Sequence, residues 1–226
     1  MVAINFTLNQ LNSDIENDIE NHVENTMKNK IKKTALLILM QSLFAQTLYA
    51  CEAKTYYPDT SFPEILIKTS LGEIVVELDR NRAPITVNNF LQYLASGAYE
   101  KTIFHRVEKN FVIQGGGYDE KLNAIKTCDK IFNESGNGLK NSKGTIAMAR
   151  YDDPHSATSQ FYFNLTDSPS LDPNAKNWGY TVFGYVIEGM DVLEKISQVR
   201  VGFSQKLGSE NIPLEPIYIE KVQLAH

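Results

Sequence analysis

From Glu64 onward the chain alternates between apolar and polar positions. Ile65 and Ile67 share one side of Glu64–Thr69, Ser70-Leu71-Gly72 supplies a turn, and Glu73-Ile74-Val75-Val76-Glu77-Leu78 resumes the pattern. Period-two spacing about a glycine-containing turn predicts a β-hairpin over 64–78. The period then lengthens. Val87, Phe90, Leu91 and Leu94 recur at i, i+3, i+4 and i+7, which predicts a helix over 85–96 with one apolar stripe. Pro84 suits its first turn and Gly97 its stop. Further strands are predicted over 102–107, 111–115, 144–149, 160–165, 181–187 and 216–223, separated by Gly, Asn, Asp and Pro clusters with turn chemistry. A second short helix is predicted over 189–197, where Val192, Leu193 and Ile196 share a face. Many strands with two helices predict a mainly β domain, a closed antiparallel barrel with helical covers, in which closure removes exposed edges. No repeat or boundary interrupts 62–226.

The front of the chain reads as an address. Met27-Lys28-Asn29-Lys30-Ile31-Lys32-Lys33 is a basic start, Thr34–Ala45 an apolar run broken only by Gln41 and Ser42, and Leu48-Tyr49-Ala50-Cys51-Glu52-Ala53 supplies small residues. That order is a secretory signal peptide over 27–50, followed by a linker over 51–61. The apolar run is short for a membrane span. Residues 1–26, acidic and Asn-rich, read as a disordered leader or an over-extended gene start, with Met27 the true beginning. Two cleavage readings stand. Leu48-Tyr49-Ala50-Cys51 resembles a lipobox, which would lipidate Cys51 and tether the protein; Cys51-Glu52-Ala53 also serves for cleavage after Ala53. Both export the protein, to the periplasm. With Cys51 lipidated or removed, Cys128 is left alone and reads as a small core residue.

Charge and composition then narrow the function. The formal net charge is −5; residues 1–27 hold five acids and no Lys or Arg, and residues 28–50 hold four Lys and no acid. The body is mildly acidic, without the basic footprint of a nucleic-acid binder. Gly115-Gly116-Gly117 lacks a following helix and a Gly-Lys-Ser/Thr, so close backbone approach or a bulge is expected rather than a phosphate cradle. Asp152-Asp153-Pro154-His155 reads as a solvated turn. No metal, cofactor or hydrolase elbow is implied.

The most informative stretch is Phe104–Gly116. It sets Arg106, Phe111 and Gln114 on two short extended segments. A charged donor beside an apolar surface suits an apolar substrate with one nitrogen whose hydrogen bonding matters, such as the amide before a proline. Met148-Ala149-Arg150 and Ser159–Asn164 carry further aromatic and polar groups. Spacing alone leaves two readings open, ordinary barrel strands or a binding cleft.

Phe104-His105-Arg106, Phe111-Val112-Ile113-Gln114-Gly115-Gly116, Ser159-Gln160-Phe161-Tyr162 and Val182-Phe183-Gly184 stand in the order and spacing of the cyclophilins. Over about 62–224 the chain resembles a bacterial, exported cyclophilin-type peptidyl-prolyl cis–trans isomerase. The resemblance implies an eight-stranded barrel capped by two helices and proline-containing polypeptide clients. It implies that Arg106 is the catalytic arginine, supported by Gln114 and Phe111. It places Phe111, Val112, Tyr162 and Leu171 in the proline pocket. His105, Ala149, Gln160, Phe161 and Tyr180 fall among the substrate-binding positions. Two departures stand out. Ser170 occupies a place where an aromatic is common, so weak cyclosporin binding is expected, and Arg150 replaces an Asn, adding a positive charge near the cleft. Trp178 lies nearby as a substitute for the missing aromatic. A monomer is expected, with membrane contact only through a lipid on Cys51. The alternative function is a peptide-binding or chaperone-like module that uses the same groove without turnover.

Overall fold

The hairpin at the front of the domain forms as β1 (Glu64–Thr69) and β2 (Gly72–Leu78), pairing Ile65 with Val76 and Ile67 with Ile74. The turn is closed by Thr69, whose hydroxyl donates to the Gly72 carbonyl at 2.7 Å and accepts from the Leu71 amide at 3.1 Å. The protein is described here by a computed structural model covering residues 56–225, with Met27, Lys28 and Lys30. The leader, most of the signal segment and Cys51 lie outside the described residues. The chain divides between Ala50 and Cys51, and the second unit carries the sheet.

Helix α1 (Pro84–Ala95) follows, with Pro84 in its first turn and Val87, Phe90, Leu91 and Leu94 buried. Its first amides need partners that the helix cannot supply. The Glu134 carboxylate provides them, accepting from the Ile85 amide at 3.2 Å, the Thr86 amide at 2.9 Å and the Thr86 hydroxyl at 2.7 Å. Then come β3 (Thr102–Ile103), β4 (Arg106–Glu108), β5 (Val112–Gly115), β6 (Thr145–Met148), β7 (Phe161–Asn164), β8 (Val182–Glu188), α2 (Met190–Ser197), β9 (Val201–Ser204), β10 (Ser209–Pro213) and β11 (Tyr218–Leu224).

The main sheet is antiparallel, with nine strands in the order β3-β11-β1-β2-β8-β6-β7-β5-β4. Nine appear because the strand expected over 102–107 changes partner midway. Phe104 donates its amide to Ile217 O at 2.9 Å, on the β11 side, while His105 donates to Gln114 O at 3.0 Å, on the β5 side. A separate hairpin, β9–β10, was not foreseen. β9 holds no buried residue, Phe203 being 66% exposed, and in β10 only the consecutive Ile212 and Pro213 are buried. Neither strand alternates buried with exposed positions, so period two gives no signal.

Side chains alternate across a strand, and here the two faces hold two apolar clusters. One face, with the stripes of α1 and α2, builds the main core around Ile67, Ile113, Ile146, Phe163 and Phe183. Phe161 is its aromatic hub, with ring centroids 5.5 Å from Phe90, 5.5 Å from Tyr99 and 5.8 Å from Phe163. Edge-on contacts of this kind add to the area term. The other face carries a smaller cluster of Val112, Ala147, Tyr162 and Val182.

One expectation needs correction. Cys128 is not a lone thiol: it is disulfide-bonded, and the described residues contain no free cysteine. The described end of the linker segment packs against the domain. The Arg80 guanidinium donates to Tyr57 O and Tyr56 O, each at 2.5 Å, and Tyr56 packs against the core.

Candidate active site

One row of the sheet assembles the site. Arg106 on β4 faces Gln114 on β5, Gln114 faces Tyr162 on β7, Tyr162 faces Ala147 on β6, and Ala147 faces Val182 on β8. All five belong to the face away from the main core. The adjacent row, Ile113, Phe163 and Ile146, turns inward. The pleat alone therefore sets a guanidinium, an amide and an apolar floor in one line.

At the polar end, Arg106 Nη1 donates to Gln114 Oε1 at 3.3 Å, and Nη2 forms a short ion pair with the Glu108 carboxylate. Gln114 Nε2 donates in turn to Gln160 Oε1 at 2.8 Å. The Arg106 guanidinium carbon lies 5.8 Å from the Phe111 ring centroid, and the side chain stays 32% exposed. A guanidinium held on two sides keeps donors free for a third partner while its direction is fixed. Glu108 was not a sequence candidate. Its signal was the alternation of Arg106-Val107-Glu108, which puts both charges on one face.

At the apolar end, Val112, Ala147, Tyr162 and Val182 are buried. Phe111, Leu139, Ala149, Leu171 and Tyr180 are partly buried around them. Sequence reasoning named six of these nine. It missed Ala147, Val182 and Leu139, whose small or aliphatic side chains carry no chemical mark. Leu171 sits on a 3-10 turn, Pro169–Leu171, that brings it to the mouth. Tyr180 meets Tyr162 edge-on at 5.9 Å. The Tyr162 hydroxyl leaves the floor apolar, since it donates to Asn141 Oδ1 at 2.7 Å. Burial, then the neighbouring Tyr180 and Asp172, raise its pKa well above the ordinary tyrosine value, so it remains a donor.

Two sequence candidates lie elsewhere. Phe161 is 0% exposed and belongs to the main core, because alternation turns it opposite to Gln160 and Tyr162. His105 is 5% exposed, packed edge-on against Tyr118 at 4.7 Å, so it underlies the site and offers no groove wall. Burial, reinforced by the Arg106 charge, pushes its pKa down to about 4, which leaves it neutral at physiological pH. Gln160 joins the site through Gln114.

Arg150 does not present a free charge. Its guanidinium donates to Gly179 O at 3.3 Å, Trp178 O at 2.8 Å, Tyr151 O at 2.8 Å and Asp152 O at 3.4 Å, and stacks 4.5 Å from the Tyr180 ring centroid. Trp178 packs its ring on His155, 5.1 Å away, and stays half-exposed. His155 itself accepts from the Asn133 amide at 3.1 Å through Nδ1, a structural use of that turn.

The glycine run is explained by close approach. Gly116 has φ +75°, and a Cβ there would sit 2.8 Å from the Phe161 ring; one on Gly117 would sit 2.6 Å from the Gln160 side chain.

Comparison with known proteins bears on this geometry. The sequence profile described as "Cyclophilin type peptidyl-prolyl cis-trans isomerase/CLD" matches residues 64–224. The chain is 47% identical over 161 residues to the peptidyl-prolyl cis-trans isomerase cyp18 of Streptomyces antibioticus, covering 70% of this chain and 96% of that one. It is 43% identical over 164 residues to peptidyl-prolyl cis-trans isomerase B of Escherichia coli K12, covering 71% and 99%. Among solved structures, a Cryptosporidium parvum cyclophilin determined in the presence of the dipeptide Ala-Pro aligns with a TM-score of 0.59 at 26% identity, covering 72% of this chain and 99% of that one.

Proposed function

The chain belongs to the cyclophilin-type peptidyl-prolyl cis–trans isomerases, and we propose that it performs that reaction with Arg106 as the donor to the prolyl nitrogen. The proline ring sits on Val112, Ala147, Tyr162 and Val182, between Phe111 and Leu171. Resonance gives the X–Pro bond double-bond character and a barrier of about 18–20 kcal/mol. Twisting the bond removes the resonance and returns a lone pair to nitrogen. A donor aimed at that nitrogen binds the twisted state more strongly than either planar isomer, which is the condition for acceleration.

The observation that carries this reading is the pose of Arg106, tied to Gln114 and Glu108 at the edge of an apolar cluster. A guanidinium fixed in advance needs no reorganisation as the lone pair forms, and the apolar floor keeps water from competing. Gln114, anchored by Gln160, orients the guanidinium and is placed to hold the client backbone. Neutral His105 adds no competing positive charge beneath it. A gain of roughly 1000-fold needs about 4 kcal/mol. One hydrogen bond from a charged group supplies about 1.5–3 kcal/mol of it, and grip and orientation of the ring supply the remainder. Exchange NMR on an Ala-Pro peptide tests the scheme: substoichiometric protein should broaden and merge the cis and trans signals. Peptide binding without faster exchange would leave only a holding module.

The nine-stranded sheet also closes in this reading. β3 and β4 count as one strand continued through Phe104-His105, which bonds to both neighbours and reduces nine strands to eight around a ring.

Export to the periplasm is part of the same proposal. It is supported by the basic, apolar and small-residue order of 27–50 and by the disulfide at Cys128, since disulfides persist in oxidising compartments. The mature chain then starts either at a lipidated Cys51 or after Ala53. Intact mass of the protein from periplasmic fractions distinguishes the two, and a purely cytosolic pool would reject export.

A further inference from the structure

We infer that Asn141 is a positioning residue for the proline pocket and acts through the hydroxyl of Tyr162. Asn141 is 2% exposed. Its Oδ1 accepts from the Tyr162 hydroxyl at 2.7 Å and from Asn164 Nδ2 at 3.2 Å. Its Nδ2 donates to Leu171 O at 3.2 Å, Tyr180 O at 3.4 Å and Asp172 Oδ1 at 3.0 Å. One side-chain amide therefore reaches three residues that line the pocket: the floor through the Tyr162 phenol, and two walls through the carbonyls of Leu171 and Tyr180.

The two walls are the ends of one loop. Tyr180 donates its amide to Leu171 O at 2.9 Å, which pinches the segment between them into a closed neck. Asn141 grips that neck from below. Its own amide donates to Asp172 Oδ1 at 2.8 Å, and its carbonyl accepts from the Ser168 amide at 2.8 Å. Strand β7 fixes the backbone of Tyr162 but not the distance from its ring to the neck. The hydroxyl–amide bond fixes that distance. A phenylalanine at 162 would fill the same floor and leave the neck untied from it. The phenol's function is to set the width of the pocket.

This inference rests on the proposed pocket, and it concerns fit to the ring rather than the twisting of the bond. The measurement is kcat and KM for matched peptides carrying proline or the six-membered pipecolic acid, in wild type, Tyr162→Phe, Asn141→Ala and the double variant, with melting temperatures alongside. Each single variant should raise KM for the proline peptide about three- to tenfold, the size expected for loss of one buried hydrogen bond, with kcat within about twofold. The preference for proline over pipecolate should fall. The double variant should be no worse than Asn141→Ala, because both changes break one link. An unchanged KM and ring-size preference, with only a lower melting temperature, overturns the inference; so do fully additive effects. Should Asn141→Ala fail to fold, Tyr162→Phe decides alone. Arg106→Ala run in parallel separates the two levels. Wild-type turnover there would undo the proposed chemistry, whereas lost turnover with intact ring-size preference in the pocket variants would undo only the role of Asn141.

Discussion

Truncating Arg106 to alanine removes the charged donor and leaves the pocket floor in place. In the resting site the guanidinium bonds to Gln114 and Glu108, so planar substrate gains little from it. The difference arises when the prolyl nitrogen becomes an acceptor. A hydrogen bond from a charged group is worth about 1.5–3 kcal/mol, so kcat/KM should fall roughly 10- to 150-fold, with most of the loss in kcat. The fold should hardly notice. Glu108, freed of its partner, has a side chain 39% exposed and can be solvated, and such pairs are worth about 0–1 kcal/mol. Arg106→Lys keeps the charge but loses the rigid fork, so partial recovery is expected. A protease-coupled or exchange-NMR assay reads the rate, and thermal melting excludes misfolding. Wild-type kcat/KM in Arg106→Ala, or a loss confined to KM with kcat intact, would refute the argument.

Three further outcomes are expected. Phe161→Ala should cost about 3–5 kcal/mol of stability in denaturant titration while leaving KM of the folded protein near wild type; a KM effect without destabilisation would return Phe161 to the pocket. His105 titrates at about 4 in the folded chain against 6.5 for the free group. The unfolded chain therefore binds more protons between those values, and stability falls as pH drops from 6.5 to about 4. His105→Asn removes that slope, so the stability of wild type relative to the variant should decline by about 3 kcal/mol on acidification from pH 7 to 4; a constant difference would show that the imidazole is not desolvated. Gly116→Ala combines positive φ with a contact on a buried ring and should lower stability by more than about 1 kcal/mol, seen as a lower melting temperature.

What the sequence revealed follows from periodicity. The hairpin β1–β2, helix α1 and the outward row from Arg106 to Tyr162 all express a strict alternation or a clear stripe, and strands found from such patterns carry their facing with them. Phe161 marks the limit of the resemblance: it shares a motif with Gln160 and Tyr162, yet period two turns it the other way. His105, beside Arg106 in its motif, is likewise turned inward. The remaining gaps are physical. Ala147 and Val182 look like any core residue, β9–β10 buries only the consecutive Ile212 and Pro213, and Asn141 is defined only by partners 21 to 39 positions away. Arg150 was read as a charge because the carbonyls that absorb it come from loops whose paths no local pattern encodes.

The two apolar clusters lie back to back, separated by a single thickness of backbone. In the proposed scheme the client meets the smaller cluster, while the larger one carries most of the packing. Evolution can recut the receiving surface, trading Phe for Tyr or reshaping a rim, while the load of folding rests on side chains behind the partition. Such a separation lets one scaffold drift toward new peptide preferences without first passing through fragile intermediates.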